Sequence, residues 1–146
     1  MKTNIDLTIA RVSVLLLICL FFSCKSQEEF IPETPKEITG VWRISKAVRN
    51  GADITEKFNF NDFRVDFKSD GTYQLSQPIP FIVSTNGTYT LDDPQYPFEI
   101  KFDETSTGYS VSSLFEYPIV QGKRQLSLTF HTGCNTNSYT YTLIAD

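Results

Sequence analysis

The chain has 146 residues and a formal net charge of −4, with 17 acidic against 13 basic side chains and 14% aromatic residues. That length suits one domain with a single core, not two. The acidic balance leaves no basic stripe for a nucleic-acid backbone, and it argues against charge-driven binding to anionic lipid.

The chain opens with Lys2 and Arg11 ahead of an apolar run from Val12 to Phe22, and Ser23 stands immediately before Cys24. This is the layout of a secretory leader with its cleavage site. A bilayer-spanning helix needs about 20 apolar residues, so the shorter run reads as a removed signal peptide, residues 1–23. Cleavage takes Lys2, Arg11 and Asp6 with it and moves the net charge to −5.

Phe21-Phe22-Ser23-Cys24 resembles the lipobox of bacterial lipoproteins. It departs from the commonest Leu-Ala-Gly-Cys form and looks like the looser versions of the Bacteroidetes. The resemblance implies an acylated Cys24, a membrane partner reached through an N-terminal lipid anchor, and an outer-membrane location facing the periplasm or the cell surface. The alternative is an ordinary leader cut nearby, with Cys24 an incidental thiol. With Cys19 removed and Cys24 acylated, Cys134 has no partner and no disulfide framework is expected.

Lys25 to Glu37 carries two prolines and four glutamates and reads as a flexible tether, with the anchor and tether together spanning residues 24–37. Extended, it reaches at most about 45 Å. Glu28-Glu29 loosely resembles the acidic export tag of Bacteroidetes surface lipoproteins; the alternative is a solvated linker.

From residue 38 to 146 the pattern is alternation of period two. It predicts strands at about 39–48, 62–68, 72–76, 80–84, 87–91, 97–103, 108–115, 124–130 and 138–144. Trp42, Ile44 and Val48 share one face of the first, Phe63, Val65 and Phe67 of the second, and Phe98, Ile100 and Phe102 of the sixth. One-sided alternation belongs to antiparallel strands with one wet face. Asn50-Gly51, Asn86-Gly87, Ser69-Asp70-Gly71 and Gln121-Gly122-Lys123 supply turns. The fold class expected is all-β: a small antiparallel up-and-down barrel of about eight or nine strands, closed to remove its edges, with an open sandwich as the alternative. The segment Asp53 to Asp62 predicts one short helical turn, with Asp53 and Glu56 as a capping box and Ile54 and Phe58 facing one barrel mouth as a lid or a plug.

Thr39-Gly40-Val41-Trp42-Arg43-Ile44 resembles the Gly-x-Trp opening of lipocalin-like proteins, whose tryptophan closes the barrel floor. Arg49 to Thr55, Phe67 to Tyr73, Asp92 to Phe98 and Gly122 to Leu128 look like an uncharacterised, lipocalin-like family of Bacteroidetes lipoproteins. The resemblance implies fold and location more than activity. True lipocalins cover the tryptophan with an arginine on the last strand; Ser138 to Ile144 has none, and Arg124 is the candidate substitute.

Catalytic motifs are missing: no Gly-x-Ser-x-Gly elbow, phosphate loop, paired Cys-x-x-Cys or His-Glu-x-x-His occurs. No enzyme, metal or cofactor is expected. His131 and Cys134 read as a turn with a small thiol, or as two metal ligands or a nucleophile pair without the further groups these need. Asp92, Asp93, Asp103, Glu104 and Glu116 read as solvated loop carboxylates, or as an acid/base pair or calcium ligands. The leading functional expectation is a membrane-anchored barrel binding a small apolar or amphipathic ligand, with Trp42, Phe67, Tyr73, Tyr89 and Phe98 on its inner wall. The second is a non-enzymatic accessory lipoprotein with a filled barrel, engaging a protein partner of a nutrient or glycan uptake system through loop aromatics such as Tyr96, Tyr109 and Tyr117.

Overall fold

The computed structural model describes residues 33–77, 81–133 and 136–146. The leader, Cys24, most of the tether and Cys134 lie outside the described residues. The described chain forms β1 (Gly40–Arg49), β2 (Ala52–Asp53), a 3-10 turn (Thr55–Lys57), β3 (Val65–Phe67), β4 (Thr72–Leu75), β5 (Gly87–Leu91), β6 (Glu99–Glu104), β7 (Ser110–Glu116), β8 (Ile119–Val120), β9 (Lys123–His131) and β10 (Ser138–Ala145).

β1, β3, β4, β5, β6, β7, β9 and β10 follow one another around a closed antiparallel barrel. β10 seals it by pairing with β1 from Trp42–Ala145 to Arg49–Tyr139 and with β9 from Ser138–His131 to Ile144–Gln125. The expected up-and-down barrel is therefore present. β2 and β8 are short spurs on β1 and β9. Their turns use left-handed backbone, Asn50 and Gly51 at φ 50° and 81° and Gln121 and Gly122 at 51° and 76°, as two-residue hairpins require.

Alternation places Ile100, Phe102, Leu126, Leu128 and Leu143 inside the barrel, all fully buried. Four expectations need correction. β1 has a bulge between Ile44 and Lys46, which shifts the parity of the strand: Ala47, not Val48, is the buried residue that follows Ile44. No strand forms over the described part of 80–84. Phe81, Ile82 and Val83 are buried consecutively, which a pleated strand with one wet face cannot do. Asn86-Gly87 is not a hairpin turn, because Gly87 already begins β5 and the Asn86 side chain accepts the Leu75 N–H at 2.9 Å.

The fourth correction concerns the helical turn. Asp53 Oδ1 accepts from the Thr55 N–H and hydroxyl at 2.9 and 2.6 Å, but Ile54 stands at the N-cap and no side chain caps the turn, so the box with Glu56 does not form. Ile54 packs against the core while Phe58 is exposed. The plug is made instead by Phe60, Phe63 and Phe81. Phe63 and Phe81 lie 4.9 Å apart, and Tyr141 receives Phe81 at 5.2 Å and Phe60 edge-on at 6.2 Å.

Gly87 fits where no other residue does. A Cβ there would stand 2.0 Å from the Asp103 carbonyl oxygen of β6. Gly87→Ala is expected to destabilise the barrel by about 1–3 kcal/mol through backbone displacement, measured as a lowered midpoint of urea unfolding with the slope unchanged.

Candidate functional site

The register puts the start of β1, the β5–β6 and β7–β9 connections and the end of β10 at one end of the barrel, the entry end. The residues leading into β1 are laid across it. The Lys36 N–H donates to the Pro94 carbonyl at 2.6 Å, and the Tyr117 hydroxyl donates to the Glu37 carbonyl. Ile38 is buried beneath this strap, and its carbonyl accepts the Trp42 indole N–H at 2.8 Å. The Gly-x-Trp tryptophan thus fixes the lead-in to the barrel floor. Lys36 and Glu37, at the end of the expected tether, are bonded to the barrel through their backbone, so contact with the domain begins before residue 38.

The β5–β6 loop is shaped by its acids. Asp92 Oδ1 accepts the N–H groups of Phe98 and Glu99 at 3.0 Å, and Asp93 Oδ1 accepts those of Gln95 and Tyr96 at 2.8 and 3.1 Å. The Glu99 N–H, with that of Phe98, holds the Asp92 carboxyl below its ordinary range. Phe98 comes before β6 begins, beyond the last pair of the β5–β6 ladder at Leu91 and Ile100, and it is 73% exposed. Its expected place on the inner wall is corrected: parity alone points it inward, and β7 still bonds its carbonyl through the Phe115 N–H at 2.8 Å, but β5 ends opposite Ile100, so on that side no strand residue stands beside the ring. Tyr96 on the same loop and Ile119 and Val120 on the neighbouring connection are also exposed.

The other expected wall residues are core. Phe67 meets Tyr89 edge-on at 4.9 Å and Phe102 at 6.2 Å, and Tyr73 meets Phe102 edge-on at 5.2 Å. Phe102 therefore gathers Phe67, Tyr73 and, through Phe67, Tyr89 into one cluster. Tyr89 is partly buried and its hydroxyl donates to the Lys68 carbonyl at 3.0 Å. Tyr73 is 1% exposed and its hydroxyl has no hydrogen-bond partner among the described residues. Burial, with the nearby Glu104 and Asp103 charges, pushes the Tyr73 phenol up. Arg124 stacks its guanidinium on Tyr117 at 4.7 Å. Cys24 lies outside the described residues.

Glu104 is not the solvated loop carboxylate its sequence context suggests: it is 4% exposed and points inward with Ile100 and Phe102. Oε1 accepts the Ser84 N–H at 2.6 Å, the Ser84 hydroxyl at 3.0 Å and the Thr85 N–H at 3.1 Å, while Oε2 accepts the Thr107 hydroxyl at 2.5 Å. Burial raises its pKa, but these donors together outweigh burial and hold it down to about 2. The i, i+2 spacing from Phe102 was the signal in the sequence that marked this inward position. Its role is to tie the β4–β5 loop to the β6–β7 turn. His131 ends β9 and is exposed, and its expected companion Cys134 lies outside the described residues.

Residues 25–144 match the family model described as Domain of unknown function (DUF5004), and the chain belongs to that family. No curated protein and no solved structure matches the chain.

A carboxyl with its folded pKa below the unfolded value stabilises the fold fully above the unfolded pKa, near 4.5, and loses that contribution as pH falls toward about 2. Thermal unfolding midpoints should therefore drop between pH 5 and pH 2. In Glu104→Gln the neutral-pH midpoint should fall, by about 1–3 kcal/mol for lost charged hydrogen bonds, and the drop over that pH window should be shallower.

Proposed function

We propose that this member of the DUF5004 family is a non-enzymatic, membrane-anchored interaction module: a filled barrel displayed on an acylated Cys24, presenting its entry end to a protein partner on the outer membrane. The observation that carries this reading is the contrast between interior and end. The interior is occupied by the chain's own side chains, with Trp42, Phe67, Tyr73, Phe102, Leu128 and Leu143 all buried. At the entry end Phe98, Tyr96, Ile119 and Val120 are turned to solvent. Apolar and aromatic side chains held rigidly on capped loops bind a partner without an ordering cost.

The anchor is supported by the leader-like sequence ending at Cys24, and by the lead-in being strapped to the same end of the barrel. Eleven residues separate Cys24 from Lys36, the first residue bonded to the barrel, a reach of at most about 40 Å. An accessory role beside an uptake system fits such a short leash, because the partner must lie in the same membrane. The well-bonded, low-pKa carboxylates Asp92 and Glu104 suit structural work better than general acid catalysis, which requires a carboxyl held protonated near neutral pH.

A second reading, a carrier of a small apolar or amphipathic ligand, has one observation in its favour: the unpartnered Tyr73 hydroxyl inside the barrel. A ligand reaching it would have to displace packed rings such as Phe102 and the Phe63–Phe81 plug.

Phe98→Ser should leave the unfolding midpoint within about 0.5 kcal/mol of wild type, as for other exposed sites. It should also weaken site-specific crosslinking to a membrane partner from a photoreactive residue at position 96. Unchanged crosslinking in Phe98→Ser, together with a small molecule retained by wild type in native mass spectrometry and lost in Tyr73→Phe, would replace the interaction reading with the carrier.

A further inference from the structure

The outer face of the barrel carries a groove of about 470 Å³ where the start of β9 and the end of β10 meet β1 and the β8–β9 hairpin. Val120, Ile144 and Ala145 supply its apolar lining, and Arg43, Lys123 and Arg124 its charges, with no carboxylate among the lining residues. The volume lies within the range of small-molecule sites.

This concentration of positive charge stands on an acidic chain. The carboxylate of Asp146 lies beside the groove, but it is shared: Arg64 Nε takes Oδ2 at 2.7 Å, and Arg43 Nε approaches Oδ1 only to 3.7 Å. Arg124 is held by its stack on Tyr117 rather than by an acid. Lys123 makes no ion pair among the described residues. Two guanidinium groups and an ammonium thus share a groove lined by no carboxylate, and the Asp146 carboxylate beside it lies closer to Arg64 than to Arg43. Guanidinium groups are the side chains best matched to oxyanions, and a stacked one loses little freedom on binding.

We propose that this groove binds an anionic amphiphile: an oxyanion head group, phosphate or carboxylate, received by Arg43, Lys123 and Arg124, with a short apolar body against Val120 and Ile144. The proposal rests on the groove itself and is independent of the partner reading above. Two sources share this chemistry, a soluble organic anion and the head group of an anionic lipid, and the groove lies toward the entry end, where the lead-in joins the barrel.

The test is titration of the full chain with hexyl phosphate, with inorganic phosphate as the comparison, alongside flotation with phosphatidylglycerol or phosphatidylcholine vesicles. Binding of hexyl phosphate about tenfold tighter than inorganic phosphate, weakening with salt, assigns a soluble ligand. Flotation with phosphatidylglycerol vesicles but not phosphatidylcholine, without hexyl phosphate binding, assigns a lipid head group. Either must fall by about tenfold or more in Lys123→Gln, which removes no ion pair among the described residues, and in Arg124→Gln. Val120→Asn must weaken hexyl phosphate while sparing inorganic phosphate. If neither probe binds, or if binding survives Lys123→Gln and Arg124→Gln in folded protein, the proposal is overturned.

Discussion

The structure depends on the pairing of its last strand with its first. β10 lies between β1 and β9 and pairs with both along nearly its whole length. Without that seam the sheet would have two open edges, and the inward faces of β1 and β9 would lose the neighbours that bury Trp42, Leu126 and Leu128. The bulge at Ser45 belongs to the same seam. It adds one residue to β1 where that strand must bend around the barrel, and the extra hydroxyl donates to the Thr142 carbonyl at 3.1 Å.

Closing a barrel this small sets the fate of its interior. Eight strands enclose little more space than side chains need, and here aromatic rings pack within it. The Phe67, Tyr73, Tyr89 and Phe102 cluster occupies one region, and Phe60, Phe63, Phe81 and Tyr141 form the plug. Its three phenylalanines come from two loops, the segment between β2 and β3 and that between β4 and β5, while Tyr141 stands on β10. Glu104 fastens the second of these loops through Ser84 and Thr85, so a buried charge holds a hydrophobic closure in place.

The two regions offered for recognition arise from opposite local physics. At the entry end, Asp92 and Asp93 satisfy backbone N–H groups and thereby hold Tyr96 and Phe98 on a stiff loop in water. On the outer wall, positive charge gathers because Arg43 faces outward from β1, while Lys123 and Arg124 begin β9 directly after a tight left-handed turn. A capped apolar rim suits a protein surface, and a basic groove suits an anion.

Period-two alternation determined the fold class, the up-and-down order and most of the core, because a strand with one wet face writes its orientation into every second residue. It also marked Asn50-Gly51 and Gln121-Gly122 as hairpins, since a two-residue turn demands left-handed backbone. Tertiary structure decided what depends on neighbours remote in sequence. The bulge that exchanged Val48 for Ala47 reflects closure against β10. The burial of Phe81 needed the rings of Phe63 and Tyr141, and Phe98 is exposed where β5 ends opposite Ile100. Glu104 was legible as an inward position but not as a charge that could remain ionised there, because its donors come from Ser84, Thr85 and Thr107 on separate turns. The basic groove could not be read from sequence at all: Arg43 and Lys123 are 80 residues apart, and only closure of the barrel brings them together.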